Sequence, residues 1–212
     1  MPLPQVFVIG DSISMHYGPH LERMLDGVMR YARKTGESEG EGYGNLDLPQ
    51  GANGGDSGMV LAYLKFKAGE SEFQPDVLLV NCGLHDIKTD PQSGTRQVDM
   101  DAYRTNLEAL LALGKETAKN LVWVRTTPVD DEQHNSRQMQ FHRHAKDLDA
   151  YNAAADEIVA AAGVASIDLC SFTRGLGSTA EIFCDHVHYV EPVRRLQGAF
   201  IAGYLTRLVG GA

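Results

Sequence analysis

The chain has 212 residues, which fits one medium α/β domain spanning residues 1–212 and leaves little for a second core. Its 43% apolar and 22% charged residues are ordinary folded-protein values and exclude disordered, collagenous and disulfide-scaffold classes. With 28 acidic against 19 basic residues the formal charge is −9, so nucleic acid and anionic lipid surfaces are not expected partners.

The N-terminal residues lack a basic segment, a long apolar segment and a small-residue cleavage site, so the expected location is cytoplasmic. Residues 5–10 form a short apolar run ending at a glycine, and residues 16–29 follow with apolar positions at helical spacing: strand, turn, helix. A weaker strand is expected over 28–32. Residues 35–58, rich in Gly, Glu and Asn, read as a long irregular loop, and loops of that length are often functional. A helix opened by a serine or aspartate cap is expected over 57–67, and the wholly apolar part of 76–81 suits a parallel strand buried on both faces. Residues 98–119 carry the longest helical stripe, through Tyr103, Leu107, Leu110, Leu111 and Leu113.

A further buried strand is expected over 121–126, with Trp123 in the core. The polar segment 130–146 reads as a solvated loop or lid. An Ala-rich helix follows over 147–162, then a short strand over 164–168 and mostly loop over 172–185. An amphipathic helix with proline in its first turn closes the chain over 192–209. No run approaches the ~18 apolar residues of a spanning helix, so membrane insertion is not expected. Strands alternating with helices throughout predict a three-layer α/β/α architecture: a doubly wound, flavodoxin-like sheet of about five parallel strands. Ligands in such folds bind outside the carboxyl ends of the strands, which directs attention to the residues just after Ile9, Asn81, Thr126 and Asp168.

Three segments fall at or near that edge. Gly10-Asp11-Ser12-Ile13-Ser14 places a serine at a strand-to-helix turn, where Ser12 reads either as an exposed nucleophile favoured by the helix N-terminus or as a helix cap. Asn81-Cys82-Gly83-Leu84-His85-Asp86 brings a glycine and two polar side chains to the next strand end. Near the C-terminus, Asp185 and His188 are three apart, a spacing that on one turn lets the carboxylate hold the imidazole, while His186 points elsewhere. Serine hydrolysis needs a nucleophile, a base, an orienting carboxylate and oxyanion donors, and these segments offer all four.

The same segments resemble the SGNH hydrolases, or GDSL esterase/lipase family. Gly10-Asp11-Ser12-Ile13 is similar to its Gly-Asp-Ser-Leu block and Asp185-x-x-His188 to its final Asp-x-x-His block. Asn53-Gly54-Gly55-Asp56-Ser57 resembles the block that donates a glycine N–H, and Gly83-Leu84-His85-Asp86 the Gly-x-Asn-Asp block. The departure is His85, which stands where the family has an asparagine, as in a subgroup with Gly-Leu-His-Asp. The resemblance implies Ser12 as nucleophile, His188 as general base, and Asp185 as its orienter. It also implies the N–H groups of Ser12 and Gly55, together with His85, as the oxyanion hole, with no metal or organic cofactor. A histidine at 85 can instead bond a neighbouring carbonyl, and Asn53 or Asn81 are substitute donors.

The resemblance further implies a serine esterase and a small-molecule or carbohydrate ester as partner. The polar loops favour a small acyl group such as acetyl on a polar alcohol. A lipid acyl hydrolase or thioesterase is the alternative within the family, and a non-catalytic domain that binds a glycan or partner the alternative outside it. No signature sets the oligomeric state. Several polar and sulfur groups read as structural. The histidines His134, His142 and His144 match no zinc spacing and read as solvated. Arg30, Arg33, Lys34, Arg194 and Arg195 read as solvated charge. The cysteines Cys82, Cys170 and Cys184 fit no CxxC pattern and read as free thiols, with Cys82 and Cys184 as small core residues. Asp86 is expected to tie its loop through backbone N–H groups.

Overall fold

Val77–Val80, with the sequence VLLV, is buried at every position, as a strand covered on both faces must be. In the computed structural model, which describes residues 2–35, 47–137 and 140–210, this segment is β3 and the centre of a five-stranded sheet. Its companions are β1 (Gln5–Ile9), β2 (Arg30–Arg33), β4 (Asn120–Val124) and β5 (Ala165–Ile167). The order is β2-β1-β3-β4-β5 and every pair is parallel, with Val8 opposite Leu79 and Val80 opposite Trp123. That is the expected flavodoxin-like order, whose switch point lies between β1 and β3.

The main helices are α1 (Ser12–Met24), α2 (Ser57–Ala68), α3 (Met100–Thr117), α5 (Ala145–Ala161) and α8 (Glu191–Gly210), with short α4 (Asp131–Arg137), α6 (Leu169–Arg174) and α7 (Thr179–Ile182). Helices cover both sides of the sheet: α1 packs on α8, and α3 packs on α2 and α5. Aspartates start several of them. Asp11, Asp56, Asp99 and Asp168 each accept a first-turn N–H of α1, α2, α3 and α6 at 2.8–3.0 Å, satisfying donors that a helix cannot satisfy itself.

Several boundaries differ from expectation. Helix α1 begins at Ser12 rather than His16, because Asp11 caps it directly, and ends at Met24 before a turn through Gly27 at φ +73°. The second strand lies two residues later than expected, and β4 begins one residue earlier. The polar segment 130–146 contains α4, and residues 172–185 contain the end of α6 and all of α7. Polar surface composition conceals such short helices, since few apolar positions mark their period. Residues 36–46 of the expected long loop, and 138–139, lie outside the described residues.

Candidate active site

The carboxyl ends of β1 and β3 and the loop before α8 converge. Ser12, the first residue of α1, is buried, and its N–H belongs to the first turn, where no intrahelical acceptor exists. Its Oγ lies 2.9 Å from His188 Nε2, and His188 Nδ1 lies 2.7 Å from Asp185 Oδ2. The local turn explains the alignment. Asp185 Oδ1 accepts the N–H groups of Val187 and His188, both at 2.7 Å, folding the chain back without a helix. A bridge between Phe183 and Tyr189 closes this loop, and Tyr189 Oη donates to Pro128 O at 2.7 Å, fastening it to the segment after β4.

Burial alone would raise the Asp185 carboxyl. The His188 hydrogen bond and charge, with the two backbone donors, outweigh it and hold the group well below the usual carboxylate range. Asp185 is therefore ionised wherever a neutral imidazole can act. His16, one helical turn after Ser12, packs edge-on against His188 with ring centroids 4.9 Å apart. Burial first, then the neighbouring His188 and Arg194, lowers its pKa to about 4.

Gly54 N–H donates to Gly10 O at 2.9 Å, which brings the Gly55 loop beside the Ser12 turn. Gly55 has φ +76°, and its N–H donates to Asn53 Oδ1 at 3.0 Å. Asn53 thus acts as an acceptor toward that N–H. Asn81 is spent as a substitute donor, since its Nδ2 donates to Val124 O and Thr126 Oγ1. His85 is buried, and among the described residues no hydrogen bond restrains its ring. Burial, then Lys88 and Arg143, holds it well below the usual imidazole range, so it is neutral and carries one N–H. Asp86 accepts Ser57 N–H through both carboxylate oxygens at 2.9 and 3.1 Å, tying its loop to α2.

Several residues read as solvated are not. Arg33 donates to Ser14 O, Ser14 Oγ and Ala52 O, and Lys34 to Gly51 O and Asn53 O, so Arg33 straps the Gly55 loop to α1 and Lys34 ties it to the end of β2. Arg194 donates to Tyr189 O at 2.6 Å. His134 is fully buried, with its Nδ1 2.6 Å from His186 Nδ1. Cys82 is buried as expected, but Cys184, in the loop before α8, is exposed. Arg143 is buried and donates to the carbonyl of Leu84, the residue before His85. The sequence offered no signal for it beyond its charge. Among the described residues, no three His, Cys, Asp or Glu side chains cluster as a metal site requires, and no helix is long and apolar enough to cross a membrane.

A family model described as GDSL-like lipase/acylhydrolase matches residues 8–190. No curated protein matches the chain. A lipase/acylhydrolase from Enterococcus faecalis has a similar structure, with 17% identity, 96% of each chain covered and a TM-score of 0.72. A member of the lipolytic G-D-S-L family from Veillonella parvula is 16% identical over 96% of this chain and 98% of its own, with a TM-score of 0.67. An acetylxylan esterase from Geobacillus stearothermophilus is 16% identical over 98% of this chain and 94% of its own, with a TM-score of 0.65.

Proposed function

Because this chain belongs to the GDSL-like lipase/acylhydrolase family, we propose that it is a serine esterase in which Ser12, His188 and Asp185 form the catalytic triad. The observation that carries this reading is the continuous hydrogen-bonded line from Ser12 Oγ through the His188 ring to Asp185. His188 takes the Ser12 proton as Oγ attacks the ester carbonyl, forming a tetrahedral intermediate. The N–H groups of Ser12 and Gly55 and the His85 ring receive the oxyanion, with Gly55 exchanging its Asn53 acceptor for it. His188 then gives its proton to the departing alcohol. Water, activated by the same base, adds to the acyl-enzyme, and the acid leaves as Ser12 recovers its proton.

The substrate we propose is a small acyl group, acetyl foremost, on a carbohydrate or other polar alcohol. The polar composition of the connections at the strand edge supports it, and the acetylxylan esterase neighbour shows that this fold accommodates such a reaction elsewhere. The net charge of −9 favours neutral or cationic esters over polyanions as substrates.

A fluorophosphonate probe is expected to label the wild type and not Ser12→Ala, whose ester turnover should fall at least ~10³-fold. Folded wild type that resists the probe supports a non-catalytic binding domain instead. Across 4-nitrophenyl esters from acetate to palmitate, kcat/KM should fall with chain length. A rise would reject the small-acyl substrate and favour a lipid acyl hydrolase.

A further inference from the structure

The ring of His85 is buried and has no hydrogen-bonding partner among the described residues, so its direction rests on the packing around it and on the backbone that carries it. That backbone is gripped from one side by a single segment. Arg143, between α4 and α5, donates through Nε to Leu84 O at 2.8 Å, one residue before His85. The neighbouring His142 exchanges both backbone hydrogen bonds with Thr89, at 2.7 and 2.8 Å, four residues after it. Within the loop, Ile87 N–H donates to Gly83 O at 3.1 Å and Lys88 N–H to His85 O at 3.3 Å. His85 therefore lies in a short turn held at both ends.

A cation in that place is costly to bury. The Arg143 side chain is only 2% exposed, and its carboxylate partner is a single oxygen, Asp47 Oδ1, at 3.3 Å from each terminal nitrogen. Desolvating a guanidinium is expensive, and long contacts to one oxygen offset it poorly. The remaining contacts orient the side chain: its guanidinium sits over the Phe141 ring at 4.9 Å, and its own N–H donates to Asn135 Oδ1 at 3.0 Å. The guanidinium joins three connections of the strand edge, those carrying Asp47, Leu84 and Arg143 itself.

We infer that Arg143 is a positioning residue of the oxyanion hole, holding the Leu84 carbonyl so that the His85 N–H meets the developing oxyanion. The inference rests on the proposed role of His85. An oxyanion donor is effective only when its direction is fixed before reaction, because reorientation during the step forfeits the gain. Lysine at 143 keeps the charge but has a single point donor, which cannot reach Leu84 and Asp47 in the same fork geometry.

The test is a double-variant cycle on 4-nitrophenyl acetate turnover, with folding checked by circular dichroism melts. Arg143→Lys and His85→Ala should each lower kcat about 10²-fold with KM little changed, the size expected for one lost oxyanion donor. Adding Arg143→Lys to His85→Ala should then change kcat by no more than about 3-fold, since the donor it positions is already gone. Multiplied losses in the double variant, wild-type kcat in Arg143→Lys, or a change confined to KM would overturn the inference while leaving His85 in place. Wild-type kcat in His85→Ala would overturn the His85 role and this inference with it. Should Arg143→Lys not fold, Asp47→Asn takes its place in the cycle. It should lower kcat about 10-fold and non-additively with His85→Ala, and wild-type kcat in the folded Asp47→Asn chain counts against the inference.

Discussion

At Gly55 the backbone has φ +76°, and an added Cβ would lie 2.7 Å from both Met59 Sδ and Pro49 Cβ. Alanine there carries the left-handed penalty of about 1–2 kcal/mol and must also displace Pro49, because the ring carbon cannot swing aside as the thioether can. The N–H proposed for the oxyanion moves with it. Gly55→Ala is therefore expected to lower kcat at least ~10-fold while the chain still folds, and steady-state kinetics at unchanged circular dichroism would show it. Gly83 is a harder case. It has φ +145°, and its Cβ would lie 2.5 Å from Thr126 Oγ1. That hydroxyl donates to Cys82 O at 2.7 Å and accepts from Asn81, so it cannot rotate away without leaving buried groups unpaired. Gly83→Ala should reduce unfolding free energy by more than ~2 kcal/mol in urea titrations, and a midpoint equal to the wild type would contradict this account.

Between elements, the apolar core is supplemented by cations that reach backbone carbonyls. Arg33, at the end of β2, reaches Ser14 O at 2.9 Å in α1 and Ala52 O at 2.9 Å in the Gly55 loop. Truncating it leaves those carbonyls without their charged donor. Arg33→Ala is expected to destabilise the chain by about 1–2 kcal/mol and lower kcat more than it raises KM, because the loop that carries Gly55 loosens. Unchanged kcat would mean that Lys34 alone holds the loop. This strap also shows where sequence reading stops. Strands β1 and β3 and helix α3 were legible because uninterrupted or periodic apolar residues report burial directly. Ser12, Asp185 and His188 could be singled out as a candidate site because ester hydrolysis needs a serine, a histidine and a carboxylate, and their short blocks resemble those of a known family. Arg33 and Ala52 are 19 residues apart, and a sequence displays the cation without its acceptor, since every residue has the same carbonyl. Arg143 and His134 were misread as parts of a solvated segment for the same reason: a polar residue looks identical whether water or a buried partner satisfies it. The Asn53 contact to Gly55 N–H was hidden because it depends on local turn geometry.

For the whole molecule, these buried polar groups set the response to acid. His16, His85, His134 and His186 all have depressed pKa values, first through burial, which at His186 outweighs the opposing charges of Asp185 and Asp47, with His16 lowered to about 4 and His134 to about 3. In the unfolded chain each titrates near 6.5, so the unfolded state binds protons first as pH falls. The stability they contribute is fully present above about pH 6.5 and is lost progressively toward their folded values. Two buried carboxyls act in the opposite sense. Burial raises Asp86 to about 7 and also raises Asp11, so the folded state keeps protons that the unfolded state releases, and their contribution falls as pH rises. Over the interval from pH 7.5 to 5 the four histidines are expected to outweigh the two carboxyls, so the chain should be less stable at pH 5 than at pH 7.5. Urea unfolding at the two pH values measures it directly. His16→Phe isolates one contribution, because His16 Nδ1 is buried without a hydrogen-bond partner and phenylalanine keeps the ring against His188. That variant should lose about 1 kcal/mol less than the wild type between pH 7.5 and 5, and an equal loss would place the acid sensitivity in the other three histidines.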